Sequence, residues 1–150
     1  MSKKITIGIS HGDINGISYE VIINSLEDIR LLDTCTPVIY GSPKVAAYHK
    51  KAIGKEELNL NSIRHVAEAS SNKINIINCI DEDIRVELGK STPQAGSSSY
   101  LALKSAVSDL KNEAIDALVT GPINKQNIQS DHFRHSGHTE YLMDAFGVDD

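Results

Sequence analysis

Residues 117–140 read ALVTGPINKQNIQSDHFRHSGHTE: an apolar run, Ala117-Leu118-Val119-Thr120, that breaks at Gly121-Pro122. Asn124, Lys125, His135, His138, Thr139 and Glu140 follow in quick succession. A buried strand that opens through a Gly-Pro pair into a polar loop is how an open α/β sheet presents a binding crevice at its carboxyl edge. Backbone N–H groups freed there, beside Lys125, suit a phosphate or a carboxylate. The run Ser136-Gly137-His138-Thr139-Glu140 then enters Tyr141-Leu142-Met143-Asp144-Ala145-Phe146, which reads as a helix. An imidazole or hydroxyl in a first helical turn lies beside free N–H groups and the positive end of the dipole. On residue type alone, two readings stand together. His138 and Thr139 touch a polar ligand, or Thr139 caps the helix and His138 is a surface histidine.

The rest of the chain alternates strand with helix. Residues 3–9 (KKITIGI) alternate and are β-branched, so they read as a strand. The turn formers 10–16 follow, and then Ile17, Val21, Ile22 and Leu26 at helical spacing. Strand, glycine loop and helix are the geometry of a phosphate- or dinucleotide-binding turn. Gly12 and Gly16 are spaced GxxxG, however, not GxGxxG, and no P-loop lysine follows. The plainer reading is a tight βα turn in which Asp13 and Asn15 act as caps.

Residues 36–41 (TPVIYG) form a short buried strand, and Ser42-Pro43 opens a helix that ends at Gly54. Residues 59–66 and 73–78 read as two further strands with 67–72 as the loop between them. Asp81-Glu82-Asp83 reads as a solvated face, because adjacent carboxylates in a chain usually diverge. Residues 89–99 (GKSTPQAGSSS) read as a loop, and the GKST within it lacks the first P-loop glycine. A helix then starts at Ser97, capped by Ser97 or Ser98, with Tyr100, Leu101, Leu103, Ala106, Val107 and Leu110 on its apolar face. Strands alternating with helices predict a parallel, doubly wound α/β sheet.

Charge and composition narrow the class. A net charge of -5 without a basic stripe argues against nucleic acid. No apolar run approaches the roughly 20 residues of a membrane helix, and the amino terminus lacks a secretory apolar segment, so a cytoplasmic protein is expected. Cys35 and Cys79 stand far apart and read as free thiols. The chain stops just after a helix, at Phe146-Gly147-Val148-Asp149-Asp150, and reads as the front part of a longer protein.

Three stretches together resemble the amino-terminal half of the 4-hydroxythreonine-4-phosphate dehydrogenase family. ITIGISHGDINGISYEVI is similar to the family's opening strand and glycine loop. Gln94-Ala95-Gly96 with Tyr100 is similar to its mid-chain segment. Thr120-Gly121-Pro122-Ile123-Asn124-Lys125 followed by Gly137-His138-Thr139-Glu140 is similar to its TGPxxK and GHTE signature. The sequence departs from the commonest pattern at Asp13, Ile14, Asn15 and Ser18.

The resemblance implies a three-layer α/β/α fold like that of isocitrate and isopropylmalate dehydrogenases, in a protein of two domains. Residues 1–150 would supply most of the first domain. It implies a homodimer with a shared active site. It also implies NAD-dependent oxidation of 4-phosphooxy-L-threonine with loss of carbon dioxide, in pyridoxal phosphate biosynthesis. A divalent metal (Zn, Mg or Co) would be held by histidines beyond Asp150, and none of His11, His49, His65, His132 or His135 matches those ligands. His138 and Thr139 match the family's substrate-binding pair; Asp13, Asn15, Gly16, Gly121 and Lys125 are supporting candidates. No certain catalytic residue is expected in this stretch. Two other readings remain: a dehydrogenase of a threonate or erythronate phosphate, and a phosphometabolite-binding domain without catalysis.

Overall fold

The structure is a computed structural model and describes residues 4–148. Five strands form one sheet: β1 (Ile5–Ser10), β2 (Cys35–Gly41), β3 (Leu60–Ile63), β4 (Ile74–Asn78) and β5 (Ala117–Thr120). Their order across the sheet is β3-β4-β2-β1-β5, and every pairing is parallel. Four α-helices connect or follow them: α1 (Ser18–Ser25), α2 (Pro43–Ala52), α3 (Pro93–Lys111) and α4 (His138–Phe146).

Register and side-chain alternation make the layers. Ile9 lies beside Ile39, and Ile39 beside Ile76. This row packs under Ile22 and Ile23 of α1 and Val45 and Ala46 of α2. Val38, Tyr40 and Ile77 point the other way, onto Ala102 and Ala106 of α3. Leu103 and Val107 carry that layer outward to Phe133 and to Tyr141, Leu142 and Ala145 of α4. The result is the predicted three-layer α/β/α arrangement. Strands buried on both faces explain why TPVIYG is apolar throughout, and all seven residues of β2 are buried.

Several element boundaries differ from those read in the sequence. The strand expected at 59–66 is only Leu60–Ile63, and Val66–Glu68 is a single 3-10 turn. Residues 89–99 are not a loop throughout. α3 begins at Pro93, with Thr92 as N-cap accepting a hydrogen bond from the Ala95 N–H. Thr92-Pro93 is the same signal as Ser42-Pro43, whose cap accepts from the Val45 N–H as expected. The Gly/Ser content that argued for a loop has another cause. Gly96, Ser98 and Ser99 are buried, and a Cβ on Gly96 would overlap the Asn127 carbonyl. β5 is not a buried central strand but the edge of the sheet among the described residues, with Val119 54% exposed. Lys3, included in the first expected strand, lies outside the described residues.

The topology fixes where a site belongs. α1 connects β1 to β2 on one face, while α3 brings the chain from β4 to β5 on the other side of β1. The strand order therefore reverses between β1 and β5, and ligands of open α/β sheets bind outside the carboxyl ends of such a pair.

Candidate functional site

The two loops leaving β1 and β5 meet at that switch point, and they fill it. The Gly121 N–H donates to the Ser10 carbonyl at 2.8 Å and the Asp13 N–H to the Pro122 carbonyl at 2.8 Å. Gly12 has φ +70, and a Cβ there would collide with the backbone of Gly121 and Pro122. Glycine is required at this position on both counts.

Within the loop, the Asn15 N–H donates to Asp13 Oδ1 and the Gly16 N–H to the Asp13 carbonyl. Three of the loop amides, those of Asp13, Asn15 and Gly16, are thus already paired within the protein. The Asn15 side chain is equally occupied. It donates to the Lys90 carbonyl and accepts from the Glu87 N–H, pinning the 87–92 connection. Asp13, Asn15, Gly16 and Gly121 therefore serve the packing of the two loops against each other and against the 87–92 connection. The α1 helix carries no side-chain cap, so neither Asp13 nor Asn15 caps it.

Sequence reasoning missed the residue that locks this packing. His11 is fully buried. The Ser42 N–H donates to the Tyr19 hydroxyl at 3.1 Å, leaving the Tyr19 O–H to donate to His11 Nδ1 at 2.7 Å. His11 Nε2–H then donates to the Ser98 carbonyl at 3.1 Å. One neutral imidazole so ties the end of β1 to α1, the end of β2 and the first turns of α3. Burial pushes its pKa down from 6.5 to about 4. Tyr19 also stacks on His49, whose Nε2 donates to the Ile14 carbonyl at 2.7 Å. The available signal was a histidine directly after a buried strand with a tyrosine eight residues on, too common a pattern to single out.

The open, polar part of the site lies in the second loop. Asn124 Oδ1 accepts from the N–H groups of Gln126 and Asn127, both at 3.0 Å, and starts a compact turn. Gln129 Nε2 donates to the carbonyls of Lys125 (3.0 Å) and His135 (2.8 Å), closing the excursion on itself. His135 packs against Phe133 and Tyr141, its Nε2 meets Asp144 at 3.1 Å as a clamp onto α4, and its Nδ1 is buried without a partner among the described residues.

The chain arrives at Gly137, the N-cap of α4, which makes no side-chain cap hydrogen bond. Thr139 is therefore not the cap. His138 and Thr139 are the first two residues of the helix, as a ligand-binding role requires. Thr139 is exposed and His138 is half-buried. His138 Nε2 is buried without a hydrogen-bond partner. Lys125 leans over the same point. A Cβ on Gly137 would sit 3.6 Å from Lys125 Cε, 4.0 Å from Nζ and 3.3 Å from Glu140 Oε2. Desolvation first, and the Lys125 charge second, hold the His138 pKa below its ordinary value. A neutral imidazole carries one donor and one acceptor, suited to a ligand hydroxyl or a protonated oxyanion.

Among the described residues no three His, Cys, Asp or Glu side chains converge as a metal ion requires.

An open parallel sheet with helices on both faces, and polar residues gathered past its switch-point strand, defines an α/β/α domain. Residues 33–150 match the pyridoxal phosphate biosynthetic protein PdxA family, and the chain belongs to that family. It is 46% identical over 145 residues to a 4-hydroxythreonine-4-phosphate dehydrogenase of Bacteroides thetaiotaomicron, covering 97% of this chain and 40% of that protein. It is 32% identical over 155 residues to a Clostridium botulinum protein provisionally named D-threonate 4-phosphate dehydrogenase, covering 100% of this chain and 46% of that one. The crystal structure of a 4-hydroxythreonine-4-phosphate dehydrogenase from Burkholderia phymatum superimposes with a TM-score of 0.88 at 29% identity, over 99% of this chain and 46% of that chain. The chain thus spans less than half the length of the relatives it matches.

Proposed function

We propose that these 150 residues are the amino-terminal part of an NAD-dependent 4-hydroxythreonine-4-phosphate dehydrogenase. In this reading the complete protein oxidises the secondary alcohol of 4-phosphooxy-L-threonine, releases carbon dioxide and yields 3-amino-2-oxopropyl phosphate for pyridoxal phosphate synthesis. It works in the cytoplasm as a homodimer with a shared active site. NAD supplies the hydride acceptor and a divalent metal the Lewis acid; both are assigned to residues outside this chain.

The part of the work given to the described residues is binding. The single observation that carries it is the unpartnered, buried Nε2 of His138, next to the exposed Thr139 hydroxyl in the first turn of α4. A buried polar atom left without a partner costs roughly 1–3 kcal/mol, and a bound hydroxyl or phosphate oxygen removes that cost. α4 is held by packing on Leu103, Val107, Ile128 and Phe133 and by the His135–Asp144 contact.

His138→Ala in the complete protein tests the assignment. Turnover of 4-phosphooxy-L-threonine is expected to fall roughly 10- to 100-fold in kcat/KM, the worth of one or two lost hydrogen bonds, with the circular dichroism spectrum and oligomeric state retained. Unchanged kcat/KM removes the substrate-binding role.

The Clostridium relative favours a second reading, a threonate 4-phosphate substrate. The two differ in the amino group beside the reacting carbon, and parallel assays of the complete protein on both substrates decide between them.

A further inference from the structure

Beyond His138 and Thr139, a further polar group faces Gly137, the N-cap of α4. The positive end of the α4 dipole, the Lys125 ammonium and the imidazole of His138 converge on one point, with the Glu140 carboxylate as the neighbouring anion. Among the described residues Lys125 forms no salt bridge, although Glu140 flanks the same glycine. Its backbone is nevertheless held: Gln129 fixes the Lys125 carbonyl, and Asn124 anchors the turn just ahead of it. The exposed Lys125 ammonium, in no salt bridge among the described residues, is free to pair with an arriving anion. A Cβ at Gly137 would be in ordinary contact with the Lys125 side chain and close to the end of Glu140, so both side chains lie over this glycine.

We propose that Lys125 is the specificity-determining residue of the His138–Thr139 end of the site, selecting a ligand that carries an oxyanion and rejecting its uncharged counterpart. This rests on the substrate-binding reading of His138 and Thr139 given above. The ammonium supplies the countercharge, the first turn of α4 supplies N–H donors, and the imidazole and Thr139 hydroxyl supply direction. The oxyanion is a phosphate monoester or a carboxylate; both chemistries would be recognised by this set of groups.

The test uses the complete protein with Lys125→Met, which keeps the stem and removes the charge, and Lys125→Arg, which restores the charge. With 4-phosphooxy-L-threonine, KM is expected to rise roughly tenfold or more in Lys125→Met, the worth of one charge-assisted hydrogen bond. Lys125→Arg is expected to recover much of that loss, and kcat should change far less than KM. Competition by 4-hydroxy-L-threonine, which keeps the carboxylate, and by a phosphorylated amino alcohol lacking it, separates the two oxyanions. The competitor carrying the selected oxyanion loses affinity in Lys125→Met and the other does not.

An independent arm follows the His138 ring resonances by NMR while inorganic phosphate is added to wild type and to Lys125→Met. Tighter phosphate binding in the wild type supports the proposal even where 4-phosphooxy-L-threonine is not turned over, so a wrong substrate and a wrong role for Lys125 give different results. Equal KM values together with equal phosphate affinities in wild type and Lys125→Met overturn it. So does a loss that Lys125→Arg does not recover at all.

Discussion

His11 is the residue on which the packing at the end of β1 turns, and its burial makes the fold sensitive to acid. Its folded pKa is about 4 against an ordinary 6.5, so below pH 6.5 the unfolded chain binds a proton that the folded chain refuses. Stability is therefore full above about pH 6.5 and is lost as pH falls toward 4, by roughly 3 kcal/mol at most. His49 is shifted in the same direction by partial burial and adds to the effect. Urea midpoints measured between pH 4 and 7.5 should show this slope, and His11→Gln should flatten it while lowering stability at pH 7.5. A flat profile in the wild type would mean that the His11 cage opens to water. The same network separates His11, whose ring is consumed by the architecture, from His138, whose ring is not. Both His11 ring nitrogens have protein partners, whereas His138 Nε2 has none.

The element that ties sheet to site is α3. Its first turn was the least legible stretch in the sequence, because small residues signal both loops and close packing. Gly96 lies against the Asn127 backbone, and Ser98 offers its carbonyl to His11. Gly96→Ala would ordinarily help a helix, by up to about 1 kcal/mol. Here the methyl would have to displace backbone, not a flexible side chain, so a net loss of roughly 1–3 kcal/mol is expected. Thr92→Ala should cost about 1 kcal/mol through the lost cap alone. Thermal melts of the two variants check both numbers. A stabilised Gly96→Ala would show that α3 and the 124–128 turn are not in tight contact. α4, by contrast, was legible from its apolar spacing. Only its start shifted, to His138, because Gly137 and not a hydroxyl residue holds the cap position.

For the molecule as a whole, the sheet leaves β5 with one paired edge, Val119 exposed, and Ile17 and Val21 exposed on the nearby α1. No helix among the described residues is long and apolar enough to cross a membrane. The described residues also gather no metal-binding cluster. Expressed alone, the 150 residues are expected to give no turnover of 4-phosphooxy-L-threonine with NAD and added divalent metal, while the complete protein does. A dehydrogenase rate from the isolated chain would refute the division of labour proposed here.

Periodicity and punctuation in the chain were enough to determine the parallel α/β class, four of the five strands nearly to the residue and the Ser42-Pro43 helix start. These are local properties: side-chain alternation, helical spacing, and caps that act within four residues. Long-range contacts decided the rest. That the Gly12 loop is closed by Pro122, that Asn15 is consumed by the 87–92 connection, that Gly96 is packed and not flexible, and that Lys125 hangs over Gly137 all depend on backbone segments brought together by the sheet. A lone residue type cannot report a partner dozens of positions away, so only the folded chain could separate the groups that build the site from those left free to bind.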